Sequence, residues 1–279
     1  MTLAFLLRSR TTLTVGALAA LAFTASTAWA DQLADIQKKG ELVIGVLGTA
    51  EPYSFIDPAT REIVGYEVDI GRAVAKALGV KPVIKQLAVA ARIPELQQGR
   101  VDLLAAALAK TPERQEQIDF SVPTFVTGQK VLVKKSSSIT TLEQLAGKRI
   151  VTVKGGTQEA NIKKAVPSAQ VVTFEQAPQA FQALLQGKGV GYIDDEAALV
   201  DAVAKSGKAG NQLQLVPQNV STTIVAIGLK KNEAALKAAV NQALNQLESS
   251  GQAEKLFFHW YGPQTRHAYS ERHFKFAER

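Results

Sequence analysis

Apolar positions along the chain switch repeatedly between two periods. Residues 42–46 form a short β-rich run that gives way to Gly48, as a buried strand entering a loop does. Ile70, Val74 and Leu78 then recur at a spacing of four, with Ala73 and Ala77 beside them and Gly79 behind, which predicts an amphipathic helix with a glycine stop. The same reasoning predicts a strand over 82–87, a helix over 94–98 ended by Gly99, and a strand over 101–107. Such alternation argues for a parallel α/β sheet.

A second run of the same grammar follows Ser136, Ser137 and Ser138. Helices are expected over 141–145, 157–165, 178–185 and 196–204, and strands over 150–153, 171–174 and 190–193. Two short lobes fit this better than one large sheet. Extended stretches at 125–134 and 222–230 bracket the second run and can cross between lobes, which makes the first lobe discontinuous. Leu236, Val240, Leu244 and Leu247 give the helix predicted over 233–250 an apolar face with which to return to that lobe. The remainder, 253–279, is basic and aromatic, and its three histidines, His259, His267 and His273, are expected to be solvated.

The first thirty residues follow a different rule. Arg8 and Arg10 are their only charges, residues 13–25 supply an apolar region, and Ala28-Trp29-Ala30 places small residues before Asp31. This is the pattern of a cleavable secretory signal peptide over 1–30. The competing reading is an uncleaved membrane anchor, which the many Thr and Ser residues disfavour. Removing thirty residues that carry two arginines and no acid leaves 249 residues and lowers the formal charge from +7 to +5. Paired lysines such as Lys163-Lys164 are scattered without interleaved aromatics, so no nucleic-acid track is expected. The absence of cysteine excludes disulfide scaffolds, thiol enzymes, cysteine zinc sites and a lipid anchor at the junction.

Enzyme signatures are also missing: the histidines lie far from any serine elbow or carboxylate cluster, and no Walker A loop, GxGxxG or SxxK is present. No metal or cofactor is expected. Three polar groups do stand at the ends of predicted strands. Thr111-Pro112-Glu113-Arg114 opens a helix near a sheet edge where open α/β folds bind ligands. Gly155-Gly156-Thr157-Gln158-Glu159 offers free amides as an anion cradle. Asp195 ends a third strand. A guanidinium, an amide nest and a carboxylate together suit a zwitterion. Each alone has a plainer reading: an ion pair of Arg114 with Glu113 or Glu116, and helix caps at Thr157 and Asp195.

Pro52-Tyr53-Ser54-Phe55, Val64-Gly65-Tyr66-Glu67-Val68-Asp69-Ile70, Arg92-Ile93-Pro94 with Gly99-Arg100-Val101-Asp102-Leu103, and Thr111 to Arg114 with Asp119-Phe120-Ser121 complete a pattern. Thr127-Gly128-Gln129 adds to it. On these residues the chain resembles family 3 of the extracytoplasmic solute-binding proteins, the polar amino acid receptors of ABC importers. The resemblance implies an α/β, two-lobe fold of the periplasmic binding protein-like type II with a two-stranded hinge. Lobe 1 would comprise 31–126 and 228–279, and lobe 2 would comprise 127–227. It implies a monomer in the periplasm that binds an amino acid or related zwitterion and delivers it to a membrane permease. Arg114 would grip the α-carboxylate with Gly156 and Thr157, and Asp195 would take the ammonium, with Asp194 as the fallback. Tyr53, Phe55, Arg92, Ala107 and Ala109 would complete the pocket.

The chain departs from that pattern in Leu47, Ala50, Ala90, Ala91, Ala106, Ala107 and Ala109, which make the pocket roomier and more apolar than usual for the class. Arg92 either reads a second acidic group on the ligand, the preferred reading, or pairs with Glu95. The enzymatic alternative is a cyclohexadienyl dehydratase, whose catalytic glutamate aligns with Ala198, leaving only Glu196 nearby.

Overall fold

A computed structural model describes residues 31–277; the leader assigned to 1–30 lies outside the described residues. Leu42, Ile44 and Val46 are fully buried on one face of the strand Glu41–Leu47 and pack against Val74, Leu236, Val240 and Leu244, while Val43 meets Leu96 and Leu104 on the other face. A strand covered on both faces reads as a continuous apolar run, as this one does. It pairs in parallel with Lys81–Leu87 on one side and Leu103–Leu104 on the other.

The second half repeats the arrangement. Arg149–Val153 lies parallel between Gln170–Phe174 and Gly191–Asp195. Ile150 and Ile193 face one apolar cluster with Val131, whereas Val151 and Tyr192 face another with Leu132 and Leu184, the alternation expected of a strand. Between the halves run Asp119–Lys134 and Ser221–Leu229, paired antiparallel over most of their shared length. They tie the halves into one nine-stranded sheet of the described residues, in which Leu213–Leu215 is a side branch on the longer crossing strand.

Three expectations need correction. The strand predicted over 101–107 is a ladder of only two residues, Leu103–Leu104. Beyond it the backbone breaks away and Ala107 adopts a φ of 48°, unusual for a residue with a Cβ, because side chains from elsewhere hold its peptide groups. The helix predicted over 141–145 is a single 3-10 turn, Glu143–Leu145. There the Gln144 side-chain oxygen accepts from the Thr140 and Thr141 amides, at 2.7 and 3.1 Å, and so closes the turn locally.

The third correction concerns the tail. Helix Gln252–Tyr261 buries Phe257 and Tyr261 among Tyr53, Tyr66 and Phe125, and the chain after it returns Phe274 and Phe276 to that core. Arg272 donates to both oxygens of Glu248, at 3.1 and 2.7 Å, with its guanidinium over the rings of Phe274 and Phe276. The His267 side chain is only 3% exposed and lies 3.6 Å from Asp201, instead of in solvent. Burial holds its pKa down at about 4, so it is neutral there at pH 7.

Phe276 is fully buried. Phe276→Ala is therefore expected to lower unfolding free energy by about 3–5 kcal/mol in urea denaturation, with the far-UV circular dichroism of the folded state retained.

Candidate functional site

A cavity of about 320 Å³ lies between the halves, large enough for a small molecule. Arg114 lines it from the helix Pro112–Gln117, which Thr111 caps by accepting the Arg114 amide at 3.3 Å. Its guanidinium donates to the carbonyls of Ala109 and Gly155, each at 3.0 Å, and so reaches from one half to the other. These two bonds leave three of its five N–H groups for a guest.

Arg92 also lines the cavity, but nearly all its donors are spoken for. It is 3% exposed and donates to the carbonyls of Val89 (2.8 Å), Ala106 (2.7 Å), Ala107 (2.9 Å) and Gly155 (3.3 Å). Glu95 is not its partner; that carboxylate binds Arg100 and Lys85 at 2.6 and 3.0 Å, which hold its pKa near 2. Burial, then the charge of Arg114, lowers the Arg92 pKa to about 9, which still leaves it cationic at pH 7. Beneath it Glu67 accepts the Ala107 amide at 2.6 Å, and burial raises its pKa to about 7. Arg92 and Glu67 thus fix the unusual backbone at Ala107, and Ala107 and Ala109 form the cavity wall.

The opposite wall is the turn through Gly155, Gly156 and Thr157. A Cβ at Gly155 would come within 2.6 Å of the Ala90 Cα, so only glycine permits this approach of the halves. Thr157 occupies the cap position of helix Gln158–Ala165 without capping it. Its hydroxyl instead accepts from Gln129 at 2.9 Å, and Gln129 in turn accepts from Asn161 and Ser221 at 2.8 and 3.0 Å. Gln129 and Ser221 belong to the two crossing strands, so the hydroxyl's position is set by their pairing.

Asp194 and Asp195 both line the cavity and differ in what remains open. Asp194 accepts from Gln158 at 3.1 Å, from the Asp195 amide at 2.8 Å and from the Tyr192 hydroxyl. Asp195 heads helix Glu196–Lys205 but makes no capping bond, and its Oδ1 is buried with no hydrogen-bond partner. Burial, and second the Asp194 charge, raise its pKa to about 7. Tyr53 is buried at the cavity edge with its hydroxyl unpartnered. Phe55 does not line the cavity; the strand Ser54–Ile56 turns it against Trp260, with the Lys205 ammonium 5.4 Å from its ring.

The sequence reading passed over Gln129 as a contact, and it missed Glu51, Asp201 and Lys205, all of which line the cavity. The signal was present: 198, 201, 202 and 205 recur at helical spacing, placing one stripe of the helix Glu196–Lys205 along the cavity. Among the described residues no group of three or more histidines and acids could hold a metal ion, and no helix is long and apolar enough to cross a membrane. Gln129→Ala leaves the Asn161, Ser221 and Thr157 groups without their common partner, so a loss of about 1–3 kcal/mol is expected in denaturant unfolding.

Comparison with known proteins adds an independent finding. Residues 42–263 match the family described as bacterial extracellular solute-binding proteins, family 3. The ABC transporter glutamine-binding protein GlnH of Bacillus subtilis (strain 168) is 34% identical over 234 residues, covering 82% of this chain and 84% of that protein. Among solved structures, an ancestral arginine-binding protein bound to arginine has a TM-score of 0.75 at 33% identity, over 80% of this chain and 99% of that one. The ancestral amino acid-binding protein AncCDT-1, a precursor of cyclohexadienyl dehydratase, has a TM-score of 0.73 at 30% identity, over 82% and 99%.

Proposed function

The chain belongs to the bacterial extracellular solute-binding proteins of family 3 and has their type II two-lobe fold, and on that premise we propose that it binds a free amino acid between its halves and presents it to an ABC importer's membrane permease from the periplasm. The observation that carries the α-group assignment is the buried, unpartnered Oδ1 of Asp195 in the same cavity as the remaining donors of Arg114. A carboxylate left so is costly, and an ammonium removes that cost. The α-carboxylate goes to Arg114, to the Gly156 amide and to the Thr157 hydroxyl, which accepts from Gln129 and keeps its own proton to donate.

These groups sit on both halves, so the ligand contacts all of them only when the halves are together. That gives it the higher affinity for the closed form on which ligand-driven closure depends. A micromolar dissociation constant corresponds to about 8 kcal/mol, which a charge-assisted arginine contact and a paired ammonium can supply. A permease would then recognise the closed form.

A binding role is favoured over catalysis by the position aligned with the dehydratase glutamate. Ala198 lines the cavity there, and Glu196 is absent from the lining and bound to Lys130 at 2.8 Å. Turnover of prephenate or arogenate by the purified protein would overturn this preference.

Arg114→Ala is expected to abolish amino acid binding in isothermal titration calorimetry; unchanged ligand-induced thermal stabilisation would refute the assignment. Asp195→Asn should weaken an amino acid about 10–100-fold, and far more than the matching simple carboxylate.

The raised pKa of Asp195 also sets the sign of a pH effect. The ammonium needs the ionised carboxylate, whereas the empty site is half-protonated at about pH 7. Affinity is therefore expected to fall as pH drops from 7 to 5, with proton release on binding near neutrality. Titrations in buffers of different ionisation enthalpy measure that release, and Asp195→Asn should remove it.

A further inference from the structure

Resting on the reading of Arg114 and Asp195 as α-group contacts, we propose that the far end of the cavity is a subsite for the cationic side chain of a basic amino acid, with Asp201 as its principal contact and Glu51 as its neighbour. Asp201 is 3% exposed, lines the cavity, and has both carboxylate oxygens buried without a hydrogen-bond partner. The Arg266 guanidinium forms an ion pair with Oδ1 at 3.2 Å, and Arg266 is not part of the cavity wall. It offsets charge at Oδ1 from outside the cavity and leaves Oδ2 buried without a partner. His267, 3.6 Å away, is neutral and adds no charge at pH 7. Glu51 stands at the same end, paired with Lys205, and its charge is second only to burial in raising the pKa of Asp201 to about 6.

Two further features point to a cation of defined length. Asp195 stands immediately before helix Glu196–Lys205 and Asp201 lies six residues on within it, about 9 Å along the axis at 1.5 Å per residue. This suits an α-ammonium at one end and the terminal nitrogen of an extended side chain at the other. Ala198, Ala177 and Phe181 in the same lining provide apolar surface for a methylene stem.

The test is calorimetric titration of the purified protein with L-arginine, L-lysine, L-glutamine and L-norvaline. A charge-assisted contact to a buried carboxylate predicts that arginine or lysine binds about 10–100-fold more tightly than norvaline. In Asp201→Asn that ratio should fall to within about threefold. Glu51→Gln, a change at the partly exposed neighbour, should reduce the same ratio and serves if Asp201→Asn does not fold. The subsite is refuted if glutamine or norvaline binds the wild type as tightly as the basic amino acids, or if Asp201→Asn weakens all four ligands equally. Failure of all four to bind the wild type would instead overturn the α-group reading on which the subsite rests.

Discussion

Burying a guanidinium costs several kcal/mol unless its N–H groups find acceptors, and the geometry of the whole cleft follows from how Arg92 finds them. Its four carbonyl partners come from three segments: Val89 before its own helix, Ala106 and Ala107 after the two-residue strand, and Gly155 across the cleft. Glu67 takes the Ala107 amide from the opposite side. With both ends of that peptide segment gripped, Ala107 holds its positive φ, and the chain is aimed so that Ala109 and then Arg114 follow along the cavity. Arg92 thus positions other groups, and its many bonds explain why little of it is left to read a ligand.

The Gly155 carbonyl extends this constraint between the halves, since it accepts from Arg92 and Arg114 together. The backbone there can approach Ala90 because it carries no side chain. A similar economy governs the acidic pair on the same side. Asp194 is spent on Gln158, Tyr192 and the next amide, which leaves Asp195 as the carboxylate with an open oxygen. Two adjacent buried carboxylates are tolerable because one is saturated by local donors and the other is half-protonated at about pH 7.

What could be read in the sequence was what depends on local periodicity. The strand Glu41–Leu47, the helix Tyr66–Ala77 with its glycine stop, the long helix Ala234–Ser249 and both crossing strands all follow from runs of one period. The failures share a non-local cause. Nothing near Ala105 announces that Arg92 and Glu67 will pull the strand apart. Gln144 closes a turn that its apolar neighbours alone would continue as a helix. Phe274 and Phe276 are too sparse in a basic tail to show a period, yet they complete the aromatic core around Phe125. Phe55 lies in a strong motif but leaves the cavity because strand alternation sends Ser54 inward, where its hydroxyl accepts the Leu47 amide at 3.0 Å. Arg114, Thr157 and Asp195 were legible as candidates because each stands where an element begins or ends.

The ion pairs made by Glu51 and Asp201 also bear on what holds the halves together. Lys205 meets Glu51, and Arg266 lies near both Asp201 and Glu51. Both cations are about half exposed, at 53% and 44% of their side chains, so screening limits each such pair to about 0–1 kcal/mol. Against this stand Oδ1 of Asp195, Oδ2 of Asp201 and the hydroxyl of Tyr53, all buried without a partner. A buried group left unsatisfied costs about 1–3 kcal/mol. The empty closed form therefore holds opposing contributions of similar size, the condition under which a ligand's differential affinity decides the conformation. On the proposed function, a guest that satisfies these groups removes the terms that oppose closure, so the groups proposed to recognise it would also make closure depend on it.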